Sequence, residues 1–211
     1  MAENGRLIST DLLHKLRVEI LIGRMRSGEK LTEQDICAAF GVSRTPVREA
    51  LKNLDAEGLI EMIPNRGAFV IGLNEDDIQD LYTIRIQNEM QAVRWAIARR
   101  TDAEMEAIEE SLDFMRFYTE RGDVKRIRTI NMDFHKRIAT AAHNRILAEN
   151  LSRILDYIMY SAYVHNYHES ELAVILKEHR SIYSGFRNND PESGAAAIKK
   201  HIENSKKRAK V

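Results

Sequence analysis

Residues 31–70 read LTEQDICAAFGVSRTPVREALKNLDAEGLIEMIPNRGAFV, and this stretch decides the fold. Thr32 predicts an N-cap with Asp35 three residues on, and Ile36, Ala39 and Phe40 give the helix that follows an apolar side. Gly41 supplies a left-handed or close-packed turn position, Val42 plugs the angle between two helices, and Ser43 offers a second N-cap. Pro46 falls in the first turn of the second helix, where its missing N–H costs no hydrogen bond. Val47, Ala50, Leu51 and Leu54 recur at helical spacing and face inward. Thr45, Arg48 and Lys52 point the other way, and Arg44 sits at the leading tip. Gly58 ends the helix. Ile60, Met62, Ala68 and Val70 then alternate across Pro64-Asn65-Arg66-Gly67, a turn between two strands.

Two short helices around a tight turn, followed by a small β-hairpin, predict a winged helix-turn-helix. That module lays one helix in the major groove of DNA. Its chemistry suits the basic side of this helix: a good arginine–guanine pair discriminates by roughly 1–3 kcal/mol, and a helix N-terminus attracts phosphate. A charged solvent face on an ordinary helical hairpin is the alternative for any one of these arginines. It does not account for the whole constellation.

Outward from this module the chain is mainly α. Residues 10–26 predict an amphipathic helix carrying Leu13, Leu16, Ile20 and Leu21. Asn74 reads as the N-cap of a new helix, which places a domain boundary at about residue 73. Beyond it, helices are expected over 75–100, from Thr101 to Gly122, and over 123–142, 145–164, 169–187 and 190–207. Glu104 completes a capping box with Thr101, and Asp190-Pro191 opens the last helix. Six such helices make an all-α antiparallel bundle.

Composition narrows the function classes. With 32 Lys+Arg and 32 Asp+Glu there is no global basic field, so any DNA footprint is local. The basic tail, Lys206-Lys207-Arg208 and Lys210, reads as a solvated helix end rather than a second DNA site. The single cysteine, Cys37, has no partner for an internal disulfide and reads as a small packed hydrophobe. No apolar run approaches the ~20 residues that span a bilayer, and the polar start has no signal-peptide pattern. A cytoplasmic location is expected.

In the bundle the histidines fall at apolar positions. His135 shares its helix side with Phe134, Ile138 and Ala142, His179 lies between Ile175 and Ile182, and His201 aligns with Ala197, Ile198 and Ile202. A protonated imidazole is costly there and a neutral one needs partners. Hydrogen-bonded core histidines are one reading. Ligands to a divalent metal from facing helices are the other, with Asn131 one turn before His135 able to supply an oxygen.

The string SRTPVREAL, the Leu-rich helix end, Gly58-Leu59-Ile60 and the Arg66-Gly67 wing resemble the N-terminal domain of the GntR family of bacterial transcriptional regulators. By position, the resemblance implies that Arg44 and Arg48 contact guanine edges or phosphates. It likewise assigns Thr45 to a phosphate and Arg66 and Gly67 to the minor groove. Thr32, at the start of the first helix of the pair, joins these candidates. Three further stretches are similar to the FCD effector domain of the FadR-type branch: YTIRIQNEMQAV (82–93), NMDFHKRIATAAHN (131–144) and EHRSIYSGFRNNDPESGAAAIKKH (178–201). Six helices rather than seven point to the smaller version of that domain. The likeness implies a DNA-binding domain over 1–73 and an effector-binding and dimerisation domain over 74–211.

It also implies a metal site of Asn131, His135, His179 and His201, with Zn²⁺ or Ni²⁺ expected and Mn²⁺ admissible. Asn131 stands where that family often has aspartate, and a neutral amide oxygen is the weaker ligand. Asp133 is on nearly the opposite helix face and cannot replace it. Arg85 is implied as the contact to an anionic effector, beside the alternative of an i,i+4 pair with Glu89 worth only ~0.3–0.5 kcal/mol at a surface. Tyr157, Tyr160, Tyr163 and Tyr167 line the same cavity or belong to core or interface. His143, His165 and His168 carry no site assignment.

The function these readings give is a homodimeric transcriptional regulator, a repressor in preference to an activator. It binds a short inverted-repeat operator in double-stranded DNA, and a small organic acid at the metal site modulates its affinity. The alternative is a metal-dependent hydrolase with an accessory DNA-binding module.

Overall fold

The computed structural model describes residues 2–161 and 168–209, with side chains from residue 10 onward. The chain folds as two compact units, the first running to Asn74 and the second beginning at Glu75.

The first unit comprises α1 (Ala2–Leu21), β1 (Lys30–Leu31), α2 (Glu33–Phe40), α3 (Arg44–Ala56), β2 (Ile60–Ile63) and β3 (Gly67–Val70). Thr32 caps α2, its hydroxyl accepting from the Asp35 N–H at 3.1 Å, and Gly41 takes the left-handed conformation (φ 65°) that turns the chain into α3. Ser43 occupies the next N-cap position in extended conformation but makes no side-chain capping bond. Val47, Ala50, Leu51 and Leu54 are buried, so the inward face of α3 is as its spacing predicts. The hairpin pairs Ile60 with Val70 and Ile63 with Gly67.

Four details differ from expectation. The sheet has a third strand, β1, which pairs with β3 (Lys30 opposite Phe69) and gives the order β1-β3-β2. Two residues are too few for an alternating pattern to show in the sequence. Met62 is 44% exposed, although alternation puts it on the face of buried Ile60 and opposite buried Ala68. Ala39 is exposed. Helix α1 spans Ala2–Leu21, earlier than 10–26, because Gly23 (φ 76°) turns the chain away; Leu12, not Leu13, joins Leu16, Ile20 and Leu21 inside.

The second unit holds α4 (Glu75–Arg99), α5 (Asp102–Thr119), α6 (Val124–Ala141), α7 (Arg145–Tyr160), a 3₁₀ turn (Glu169–Glu171), α8 (Leu172–Arg187) and α9 (Pro191–Ala209). The Thr101/Glu104 capping box forms, with the Glu104 N–H donating to Thr101 at 3.2 Å and the Thr101 N–H to Glu104 at 2.8 Å. Asp190 accepts from the Ser193 N–H at 3.0 Å, and Pro191 opens α9. Helix α4 packs on α9 and α6, α8 on α9 and α5, and α5 on α6. None of the described helices is long and apolar enough to cross a membrane.

One contact sets the spacing of the last two helices. A Cβ added to Gly185 would lie 2.6 Å from the Gly194 Cα, so α8 and α9 meet backbone to backbone at these glycines. His179 precedes Gly185 by six residues and His201 follows Gly194 by seven. In an antiparallel pair both therefore stand at nearly the same height, about 9–10.5 Å from the crossing.

Candidate metal centre and nucleic-acid interface

On the first unit, Arg44, Thr45 and Arg48 are exposed on the side of α3 opposite its buried residues. The Arg48 side chain is 60% exposed, and its Nε donates to Glu33 Oε1 at 2.7 Å across the helix-turn-helix. That bond lowers the Glu33 carboxyl below its usual range and engages Arg48 through Nε. Thr32 is engaged within its cap, donating to Asp35 Oδ2 at 2.6 Å. On the wing, Arg66 lies over the Phe69 ring at 5.8 Å and Lys30 approaches the same ring at 6.0 Å. Gly67 adopts φ 104°, and a Cβ there would be 3.1 Å from Lys30 Cε. Sequence reasoning missed Glu33 and Lys30. Glu33 was legible only as a first-turn acid, because its partner lies fifteen residues on.

In the second unit, His135 from α6, His179 from α8 and His201 from α9 converge, with one nitrogen of each within 4.8 Å of the others. All three are buried. His135 Nε2 and His201 Nε2 stand 3.2 Å apart, and the His179 and His201 rings meet at 4.4 Å between centroids.

The orientation of each ring is fixed from behind. His135 Nδ1 donates to Glu89 Oε2 at 2.5 Å, His179 Nδ1 to the Ile175 carbonyl at 2.8 Å, and His201 Nδ1 to Glu178 Oε2 at 2.8 Å. A carbonyl and two carboxylates only accept, so each proton resides on Nδ1 and each Nε2 carries a lone pair. Lone pairs turned toward one another repel unless something positive sits among them. Carboxylate- or carbonyl-backed imidazoles are the usual outer support of a metal site. The buried side-chain atoms without a hydrogen-bond partner among the described residues include His179 Nε2, within the cluster, and Asn131 Oδ1, one helical turn before His135. Asp133 is exposed and paired with Arg137 at 2.6 Å, away from the cluster.

Electrostatics keep the cluster neutral and its supports charged. Burial lowers the pKa of all three histidines, most for His179, where the neighbouring imidazoles add to it; His201 falls to about 4 despite Glu178. Burial alone would raise Glu89, but Arg85 and His135 outweigh it and hold the carboxyl at about 2. Glu178 is likewise held at about 2 against burial, by His201 and Arg208.

The Arg85–Glu89 pair forms, Nε to Oε1 at 2.5 Å, with side chains only 1% and 3% exposed. Its surface valuation is therefore wrong. In this interior, removing one partner of such a buried pair costs about 3–5 kcal/mol. Arg208 also departs from expectation. Instead of being solvated, it makes two bonds to Glu178, at 3.0 and 2.8 Å, and Lys206 donates to the Gln79 carbonyl. Tyr157 is buried and Tyr160 half-buried, while Tyr163, Tyr167, His165 and Lys210 lie outside the described residues. His143 bonds Glu104 at 2.9 Å. Glu89 was read from the sequence only as a partner of Arg85 and not as the support of His135, and Glu178 was missed, although each is legible as an acid on a helix that also carries a site residue.

The hydrolase alternative finds no support. Both carboxylates beside the imidazoles already hold an Nδ1 proton and an arginine, so neither is free to act as a general base.

Residues 8–70 match the bacterial regulatory proteins of the gntR family, and residues 80–204 match the FCD domain. The chain is 29% identical over 191 residues to the HTH-type transcriptional regulator YdhC of Bacillus subtilis (strain 168), covering 90% of this chain and 83% of that one. It is 27% identical over 206 residues to the HTH-type transcriptional repressor RspR of Escherichia coli (strain K12), covering 94% and 83%. Its fold is similar to that of E. coli McbR/YncC, with a TM-score of 0.75 at 20% identity over 93% of this chain and 94% of that one. The protein thus belongs to the GntR family of bacterial regulators with an FCD domain, and it is a DNA-binding transcriptional regulator, not an enzyme.

Proposed function

We propose that the chain is a cytoplasmic, homodimeric repressor whose hold on an inverted-repeat operator is set by a small organic acid bound at a divalent metal in the bundle. The observation that carries this reading is the convergence of three buried imidazoles, each pinned through Nδ1 so that Nε2 faces the others. His135, His179 and His201 would hold the metal, with Asn131 as a fourth donor. Neutral imidazoles and an amide suit Zn²⁺ or Ni²⁺, with Mn²⁺ the less suited ion. When bound, the metal supplies a coordination position for a carboxylate. Arg85 faces the same imidazoles and adds positive charge toward an anion. That at least one relative bears the name of a repressor supports the sign of regulation.

On the DNA side, Arg44, Thr45 and Arg48 would meet the major groove and its phosphates, and Arg66 with Gly67 the minor groove. Thr32 contributes chiefly by holding α2 in place.

Linkage requires that an acid which weakens operator binding bind less well to the DNA complex. The test is operator affinity by fluorescence anisotropy, with and without Ni²⁺ and a panel of small carboxylates, in the native chain and in His201→Ala. Loss of the carboxylate response in the variant, with metal-free operator affinity unchanged, is expected. A native chain whose operator affinity ignores every metal and carboxylate combination would overturn the switch.

A further inference from the structure

The cluster is built without a negatively charged donor. Asn131 is buried one turn before His135, and its Oδ1 has no hydrogen-bond partner among the described residues. The three imidazoles are neutral donors, since an acceptor fixes each Nδ1 proton. The nearby carboxylates are already spent. Glu89 is shared between His135 and Arg85, and Glu178 among His201, Arg208 and Asn204.

Glu89 is paired with Arg85 and Glu178 with Arg208, so neither carboxylate is left over to offset a cation. A divalent cation held by Asn131 and the three histidines would therefore keep its whole charge, among residues no more than 1% exposed. Burying uncompensated charge is costly, and an anion arriving with the cation removes most of that cost. An aspartate at position 131 would supply half of the compensation from the protein itself.

We propose that this site takes up its metal and a small organic anion as a coupled pair, each held weakly without the other, because the anion provides the negative charge that Asn131 does not. This inference rests on the metal-and-effector reading above and adds a thermodynamic order to it. The metal is exchangeable until the effector arrives, so the regulator responds to both together. By reciprocity, the anion's affinity rises with metal by the same factor that the metal's rises with anion.

The experiment is calorimetric titration of the full-length, metal-free chain with Ni²⁺, with and without excess succinate as the probe anion. Succinate is expected to tighten Ni²⁺ binding about tenfold or more, within the range usual for coupled sites. Succinate also binds free Ni²⁺, which alone would weaken the apparent affinity, so the expected sign cannot come from solution chemistry. Asn131→Asp is expected to tighten Ni²⁺ binding in the absence of succinate and to shrink the succinate effect severalfold. The native-chain comparison decides the matter even if that variant fails to fold. Ni²⁺ binding that succinate leaves unchanged or weakens in the native chain would overturn the coupling and leave the metal reading standing. No Ni²⁺ uptake in either condition, with operator binding intact, would overturn both.

Discussion

Arg48 and His179 show how differently the two units hold their functional side chains. Arg48 stands 60% exposed on α3, steadied by one bond to Glu33. His179 has no exposed surface, and its ring touches Phe134, His135 and His201 from neighbouring positions on α6 and α9. An exposed recognition residue can be exchanged without loss of fold, because water solvates whatever is left behind. A buried cluster is pre-oriented by its surroundings, so every change to it is also a change to the core. In this molecule affinity for DNA and stability of the bundle are therefore expected to separate under mutation, while metal affinity and bundle stability are not.

The sharpest way to break that contrast is Glu89→Ala, which removes the buried carboxylate that holds both Arg85 and His135. It is expected to cost the bundle about 3–5 kcal/mol, read by denaturant unfolding of the full chain. An effect below about 1 kcal/mol would show that the pair is solvated in solution. Next in size is Gly185→Ala. The added Cβ meets the Gly194 backbone and should cost about 1–3 kcal/mol while prising His179 from His201. Reduced Ni²⁺ affinity alongside the lower melting point would tie the glycine contact to the site.

Glu178→Gln keeps the shape but removes the charged acceptor behind His201, and metal affinity is expected to fall about 10- to 100-fold by calorimetry. On the other side of the comparison, Arg48→Ala should weaken operator binding about 5- to 150-fold, the equivalent of one good base contact, with the melting transition unmoved. The smallest effect is expected from Glu33→Gln. Stability should hold, while discrimination between operator and non-specific DNA narrows, because Arg48 is no longer oriented and an acid no longer opposes stray phosphates. Equal narrowing in both Arg48→Ala and the double variant would confirm that Glu33 acts through Arg48.

Legibility in the sequence followed the same divide. The helix-turn-helix is local: Thr32, Gly41 and Pro46 mark its boundaries, and the apolar spacing of α3 fixes which arginines face outward. Strand β1 escaped notice because its two residues are ordered by pairing with β3, not by any preference of their own. The bundle's inward histidines were visible as polar residues at apolar positions. Their supports were not, since the Glu89–His135 and Glu178–Arg208 bonds join residues 46 and 30 apart. Helical periodicity says that a side chain faces inward but not which side chain from another helix it meets. Arg208 shows the limit plainly: a basic run at a helix end reads as solvated until a carboxylate from α8 is found beneath it.

The proposed switch depends most on His135, His179 and His201 acting as one metal-binding group through their Nε2 atoms. X-ray absorption at the metal edge of the Ni²⁺-loaded, full-length chain tests this directly. Three imidazole ligands are expected in the native chain and two in His179→Ala, the remaining donors being oxygen. A spectrum without imidazole scattering, or one that His179→Ala leaves unchanged, would contradict it.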